Sequence, residues 1–577
     1  MGLFTAMQIG RSALVSSQVG IQVSGNNMAN AATPGYTRQA LFLSPSRGQV
    51  LGTYSLGRGV GIDAVERQID DALQARLRKS MSDESASGAL NEVLGQLETV
   101  MGELSGNDIS SELGSLFDTW SEASNLISSQ SVVVQQADQF AQFVRDMRSD
   151  ISLIRGQIET QIDTRVGRAN TLFDQVAFLN GEIASGEAIG ATANELRDQR
   201  GNALDELATL MDISVVEQEN GSMDVLVGSV PIVIGTSNRG VDVTRESDGA
   251  ALTTVVTLGS DGTPLAVTEG SIGGLLEARD GNIDGTIDRI DTLTGQLIFE
   301  INKLHSTGTN LRGLTATTGA FSVATADLGT SMNSPANASL AGLPFGASNG
   351  GFFVDVRNPA TGASQRVRID VDLDGITDAG LTGFTNDTSP QDIANSLDAI
   401  DGLSASFNAE GKLVVSSAPG FEFSFSDDSS GALAVLGVNT LFTGTSGADI
   451  GVRQELFDDP SSLMVGRIEN GVLIENGTAL GISSLRDKGL TALGGVTSAR
   501  FWSDSVESVA SKASIALTNA DAGRVVRQSL EAQRASLSGV SVDEESINLL
   551  SYQRQFQGAA QVISTADQLL QTLLSII

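Results

Sequence analysis

The sequence predicts a multidomain α+β protein with coiled-coil helices at both termini, a long helical-bundle shaft, and mainly β domains inserted into it. Three observations carry this. Of the ten prolines only Pro34 and Pro45 precede Pro231, and none follows Pro460. Proline removes a backbone donor and clashes with the preceding turn, so the flanks are free to form long helices and the middle is not. Apolar residues in the flanks recur at steps of three and four, whereas from about Ile213 they recur at every second position. A length of 577 residues also exceeds what one hydrophobic core organises.

Residues 1–62 are expected to form an N-terminal axial helix and a turn arm. This segment has no Asp or Glu, and its only charged side chains are Arg11, Arg38, Arg47 and Arg58. Met7, Leu14, Ile21 and Met28 repeat every seven residues among Gly, Ser, Ala, Gln and Asn, a composition that lets another helix approach closely. The helix should end in "NNMANAATPGYTRQ", Asn26 to Gln39. There Thr33-Pro34-Gly35-Tyr36 places proline and glycine at the central positions of a type II turn, which reverses the chain.

Residues 63–205, 272–312 and 461–540 are expected to build the shaft. Ile69, Leu73 and Leu77 mark one helical face; Leu90, Val93, Leu97, Val100 and Leu104 a second; Leu113, Leu116 and Trp120 a third. Ala137, Phe140, Val144, Met147, Ile151, Ile154 and Ile158 then step by three and four, slip through Ile162 to Val166, and resume at Ala169, Phe173, Val176 and Ile183. An inserted four-residue step unwinds a supercoil without ending it, so one helix of roughly fifty residues is expected here. Leu275, Ile283, Ile287, Ile290, Leu297 and Ile301 return to the helical period after a small β excursion at 206–271. In that excursion "SMDVLVGSVPIVIG" and "LTTVVTLGSDGTPLAV" read as short strands, with Asp261-Gly262 as a hairpin signal.

Residues 313–460 are expected to form an outer α+β domain. Val367, Ile369, Val371 and Leu373 alternate with Arg368, Asp370, Asp372 and Asp374, which assigns the two sets to opposite faces of a strand. "SPQDIANSLDAI" reads as a short helix capped by Ser389 with Pro390 in its first turn. The last segment, 541–577, carries the stripe Leu549, Tyr552, Phe556, Ala559, Ile563, Ala566, Leu570, Leu573 and Ile577, stepping three and four without interruption. Ser541 and Glu544 fit a capping box, and Asp543, Glu544 and Glu545 suit a helix N-terminus. An apolar stripe needs a partner, and the chain's own first helix supplies one. Pairing and ordering of the two ends is expected when subunits stack.

Composition narrows the function. A formal charge of −34 opposes binding to a phosphate backbone, so no nucleic-acid partner is expected. The absence of cysteine removes thiolate nucleophiles and thiolate metal sites. Neither a cleavable leader nor a bilayer-spanning apolar run is visible, so export would need a route that reads the mature chain. His305 is the only histidine, and its place near a helix end suits capping or packing better than catalysis. Asp370, Asp372, Asp374 and Gly375 are similar to the first half of a calcium loop, but Leu381 stands where a bidentate glutamate belongs, and strand alternation accounts for the acids. "GRGVG" suits a hinge rather than a nucleotide loop. No catalytic, cofactor-binding or metal residues are expected.

Both ends resemble the flagellar axial protein family. Asn26, Asn27, Ala29, Asn30, Thr33, Pro34, Gly35 and Tyr36 match the signature shared by rod, hook and hook-associated proteins, with Met28 where isoleucine is usual. "GRGVGIDAVERQIDDALQARLR" (Gly57 to Arg78), "ELRDQR" (Glu195 to Arg200) and the tail "VDEESINLLSYQRQFQGAAQVISTADQLLQTLL" are similar, more specifically, to the hook-associated proteins of the hook–filament junction. The resemblance is loose over 313–460, where such proteins vary. It implies that the terminal helices pair as an inner coiled-coil layer of an axial tube. It also implies a structural adaptor outside the cell, exported by the flagellar type III apparatus. The implied partners are further copies of the chain, the hook protein, a second junction protein and an export chaperone that takes the C-terminal helix, with no insertion into a membrane. The alternatives are another axial protein such as the hook protein, or an axial scaffold carrying a peptidoglycan hydrolase. The latter needs a catalytic signature within 313–460, where strands and surface acids stand instead.

Overall fold

The computed structural model describes residues 2–51, 54–102, 108–125, 129–188, 190, 192–247, 252–310 and 312–576. The chain folds into two compact units: residues 1–93, 158–280 and 513–577 form the first, and 94–157 with 281–512 the second.

In the first unit, helix α1 (Gly2–Ala29) is followed by strands β1 (Gln39–Pro45) and β2 (Val60–Arg67), which pair antiparallel. The arm expected over 1–62 is therefore more than a turn, and the expected boundary falls inside β2. Helix α2 (Asp71–Met101) joins two of the expected faces into one 31-residue helix. Its buried apolar positions are Leu73, Leu77, Ala89, Val93, Leu94, Leu97 and Met101. Leu90 and Val100 are only half-buried, Ile69 precedes the helix, and Leu104 lies outside the described residues.

Helix α3 (Ile109–Asn125) buries Leu113, Leu116 and Trp120 in the second unit, as its period predicts. Helix α4 (Gln130–Glu187) runs for 58 residues. Every apolar position of its expected stripe is buried, including Ile162 and Val166 across the phase slip. At roughly 25 cal/mol for each Å² of apolar surface removed from water, this face dominates its stability, because long helices owe little to propensity alone.

Helix α5 (Asn194–Leu210) leads into a four-stranded meander of β3 (Ile213–Glu217), β4 (Met223–Val227), β5 (Val230–Ile234) and the short edge Ser237–Asn238. Strands β6 (Val241–Ser247) and β7 (Leu252–Leu258) form a separate hairpin. Gly262, at φ +73, turns the chain after β7 as expected, but its far side contributes only a single bridge, Thr257 to Pro264. The return to helix is broken. Helix α6 (Gly270–Ala278) passes through a π-helical segment, Arg279–Asp284, into α7 (Gly285–Ser306). Arg279 in that segment is fully buried and pairs with Glu159 of α4 at 3.4 Å.

The outer region holds β8 (Gly350–Arg357) between β9 (Ser364–Val371) and β12 (Glu422–Ser426), and β11 (Leu413–Ser417) between β10 (Leu403–Phe407) and Ala316–Thr318. Ile369, Val371 and Leu373 are buried and Val367 half-buried, while Arg368, Asp370, Asp372 and Asp374 are exposed, so the alternation holds from Arg368 onward. Helix α8 (Pro390–Asp398) carries the expected Ser389 cap, reciprocated by Asp392. The expectation of shaft helix from 461 onward is corrected. Residues Gly466–Glu469 and Val472–Ile474 form a hairpin that pairs with Gly308–Thr309, because the glycine-rich turns there, including Gly471 at φ +81, cannot sustain a helix. Helix α9 (Gly477–Ser484) follows, and the long helix α10 begins only at Ser498 and ends at Ser538. It lies antiparallel to α2 in the first unit, where Leu530 closes over Leu73 and Leu77 and Arg527 pairs with Glu84.

His305 sits in the core of the second unit. Its Nδ1 lies 2.8 Å from the Asn439 carbonyl and its Nε2 3.2 Å from the Met464 amide. A carbonyl only accepts and an amide only donates, so the ring is the neutral tautomer protonated at Nδ1. Burial first, then the charge of Arg453, pushes its pKa from 6.5 to about 4, against the opposing hydrogen bond to Asn439. The unfolded chain binds a proton near pH 6.5 that the folded chain refuses until about pH 4. Stability therefore falls as the pH drops through that window, by about 3 kcal/mol in total, and is unaffected by this residue above it. Urea unfolding of the wild type and His305→Asn across pH 4–7 should show this component only in the wild type.

Candidate assembly site at the paired termini

The chain ends in helix α11 (Val542–Ile576), which packs antiparallel on α1: Gly10 faces Ile563, Gly20 faces Tyr552, and Asn27 meets Glu545. The seam on α1 is made of small residues, with Gly10, Ser16, Ser17, Gly20, Ser24 and Asn27 buried. A Cβ on Gly10 would sit 2.7 Å from Ile563 Cγ1, and one on Gly20 would sit 2.6 Å from the Tyr552 ring. Bare backbone is what lets the helices approach this closely. The expected heptad of Met7, Leu14, Ile21 and Met28 flanks the seam half-buried rather than forming it.

On α11 the expected stripe does face α1. Ala559 and Ala566 are buried, and Leu549, Tyr552, Phe556, Ile563 and Leu570 are half-buried. Leu573 is 52% exposed, and Ile577 lies outside the described residues. Pairing was expected on subunit stacking. It is made within the single chain, because the small-residue seam and a buried polar node supply the contact locally.

That node is Asn27, with no exposed surface. Its Oδ1 accepts from the Tyr36 hydroxyl at 2.8 Å and from the Gln39 amide at 3.0 Å; its Nδ2 donates to the Gln39 carbonyl at 2.9 Å and to Glu545 Oε2 at 3.2 Å. One side chain thus ties α1, the turn, β1 and α11 together. Glu545, 2% exposed, also receives Arg38 Nη2 at 2.7 Å, so the buried carboxylate is paired as well as hydrogen-bonded. Burial, followed by the nearby charges of Asp198, Glu195 and Glu545, pushes the Tyr36 phenol up to about 12, which keeps it a donor to Asn27.

The turn forms as its residues predict. The Tyr36 amide donates to the Thr33 carbonyl at 3.2 Å, and Gly35 has φ +75. That φ favours glycine, and any Cβ there would also have to displace the Asn202 side-chain amide. Asn30 Nδ2 donates to the Asn26 carbonyl at 3.0 Å and to Asn26 Oδ1 at 2.9 Å, and Thr33 donates to Asn30 Oδ1 at 3.3 Å. Ala29 and Pro34 are exposed and take no part in the node. The capping box at Ser541 is half-made. Ser541 Oγ accepts from the Glu544 amide at 3.4 Å, but the Glu544 carboxylate is turned to Arg38, 3.1 Å away, where a full charge outcompetes a backbone amide.

Reading the sequence missed Arg38, Gln39, Asp198 and Glu545 as members of this site. Asp198, inside "ELRDQR", accepts from the Thr37 amide and from Arg67, each at 3.1 Å. In the same stretch Arg200 is buried, donating to Asn180 Oδ1 at 2.8 Å and to the Gly221 carbonyl at 2.7 Å. A signal existed for Arg38: it is one of four charges in the first 62 residues, so its position beside the signature was informative.

Residues 94–321 match the family described as "Flagellar hook-associated protein FlgK helical domain", and residues 531–576 match "Flagellar basal body rod FlgEFG protein C-terminal". The chain is 28% identical over 248 residues to the flagellar hook-associated protein 1 of Bacillus subtilis, an alignment covering 41% of this chain and 49% of that relative. It is 22% identical to the protein of that name in Escherichia coli, over 98% of each chain. Against that of Salmonella typhimurium it is 25% identical, again over 98% of each. The solved structure of a flagellar hook junction protein from Burkholderia pseudomallei is similar at a TM-score of 0.48 and 17% identity, over 80% of this chain and all of that one. The helical-domain match takes in α3, α4 and α5, and the chain is similar to flagellar hook-associated protein 1 from end to end.

Proposed function

We propose that this chain joins hook to filament by packing its paired terminal helices against those of neighbouring subunits, as one layer of an axial tube. It is a structural component of the flagellum and not an enzyme. One observation carries the assembly mechanism: the helical pair spends one face internally and leaves apolar side chains outside. Phe4 and Val15 of α1 are exposed, as are Ile547, Leu550, Val562, Leu569 and Leu574 of α11, the last at 70%. Exposed apolar rows of this extent on a folded protein mark interaction surfaces. The occupants in this reading are other copies of the chain, the hook protein on one side and a second junction protein on the other. The C-terminal helix is the segment an export chaperone would cover before assembly, and export would proceed through the flagellar type III apparatus. Among the described residues no helix is long and apolar enough to cross a membrane.

Ile547→Asp changes a side chain that is 67% exposed and places a charge where a neighbouring subunit would bury it, at a cost of several kcal/mol. The variant should unfold at the wild-type temperature, yet a strain carrying it in place of the native chain should show hooks without filaments in electron micrographs. Filaments at normal number and length would count against the proposal.

A further inference from the structure

The geometry points to a divalent-cation site in the second unit, of calcium type, built by Asp372, Asp374 and Asp387 just beyond strand β9. Each of the three carboxylates offers an oxygen, and these oxygens lie within 4.8 Å of one another. Among the described residues none of them is paired with a lysine or arginine. An acidic cluster alone would be unremarkable on a chain of net charge −34.

The independent observation is a set of buried oxygens without a hydrogen-bond donor. Asp387 is 4% exposed, and its Oδ1 has no partner. Its Oδ2 is already satisfied by Asn333 Nδ2 at 2.6 Å and the Gly375 amide at 3.1 Å. The amide oxygens of Asn333, which abuts Asp387, and of Asn386, its chain neighbour, are likewise buried and unpartnered. A buried acceptor without a donor costs about 1–3 kcal/mol, and a buried carboxylate oxygen costs more. The unpartnered Asp387 oxygen beside two further carboxylates forms an oxygen-only set, which suits a hard cation. Calcium accepts six to eight oxygens in irregular geometry, whereas magnesium requires a near-ideal octahedron and keeps its waters. A donor set of carboxylates spread over a loop of glycines, including Gly375 and Gly380 at positive φ, suits the larger ion.

Leu381, at the twelfth position of a contiguous loop counted from Asp370, is 67% exposed. The third acid instead comes from Asp387, returned to Asp372 by the Thr388 amide, which donates to the Asp372 carbonyl at 2.7 Å.

The test uses the purified full chain in 0.15 M NaCl, titrated with CaCl₂ and separately with MgCl₂ by calorimetry and by thermal unfolding. Calcium should bind with a dissociation constant on the order of 10⁻⁴–10⁻³ M, raise the unfolding temperature, and bind more tightly than magnesium. Asp372→Asn and Asp374→Asn, both at exposed positions and so expected to fold, should each weaken calcium at least about tenfold; Asp387→Asn should abolish it. Absence of calcium binding to the folded wild type, or equal affinity in the wild type and both exposed-site variants, would overturn the assignment, the latter tracing binding to general surface charge.

Discussion

Asn27→Ala is expected to detach α11 from the arm while leaving the rest of the chain folded. The substitution deletes four hydrogen bonds that reach Tyr36, both backbone groups of Gln39, and Glu545. Truncation leaves the Gln39 amide and carbonyl without a mate, while Glu545 keeps Arg38; at about 1–3 kcal/mol for each orphan the arm should lose roughly 3–5 kcal/mol. Asn27→Asp sharpens the test. It conserves shape, but it sets a second carboxylate against Glu545, whose amide donor sat at 3.2 Å. If the node acts through charge and hydrogen bonding, Asp should be worse than Ala at neutral pH; if it acts by filling space, Asp should be nearly silent. Hydrogen exchange of residues 39–45, 60–67 and 542–560 would separate the two, with protection in α4 as an internal reference. Wild-type protection of all three segments in Asn27→Ala would dismiss the node as a determinant of the paired ends.

Gly20→Ala is the second case, because two effects of opposite sign compete there. Within a helix, replacing glycine by alanine ordinarily stabilises by about 1 kcal/mol through backbone entropy. Here the new methyl would meet Cδ1, Cε1 and Cγ of Tyr552 at 2.6–2.7 Å. These atoms lie at the root of the ring as well as its edge, so the ring cannot simply swing aside. Overpacking of this kind costs about 1–3 kcal/mol, which outweighs the propensity gain. Gly20→Ala should therefore loosen the helical pair and impair attachment of filaments. Adding Tyr552→Ala should recover at least about 1 kcal/mol relative to the sum of the single changes, the signature of two positions in direct contact. A Gly20→Ala chain with raised stability would show that the helices are not held at this separation.

Much of this architecture was legible without coordinates. Periodicity located α4 and its buried face across the phase slip, because a helix of that length survives only if one face is continuously apolar. The alternation before Asp374 located β9, and Pro34-Gly35 located the turn, because those residues permit few other backbone conformations. Less legible were the interruptions. The hairpin at 466–474 and the π-helical break at Arg279–Asp284 depend on pairing with Gly308–Thr309 and on burial of Arg279 against Glu159, neither of which is adjacent in the chain.

The sequence by itself determined the long helices α3 and α4, that both ends carry faces requiring a partner, and that thiolate chemistry is absent. Tertiary structure alone decided that Gly10 and Gly20, not the methionine and leucine heptad, form the seam. It alone gathered Asn27, Arg38 and Glu545 into one buried node, and Asp387 into a cluster with Asp372 and Asp374. Local periodicity reports which side of an element avoids water. The distance between residues hundreds of positions apart is set by how closely two backbones approach, and that depends on the partner's side chains as much as on the residue itself.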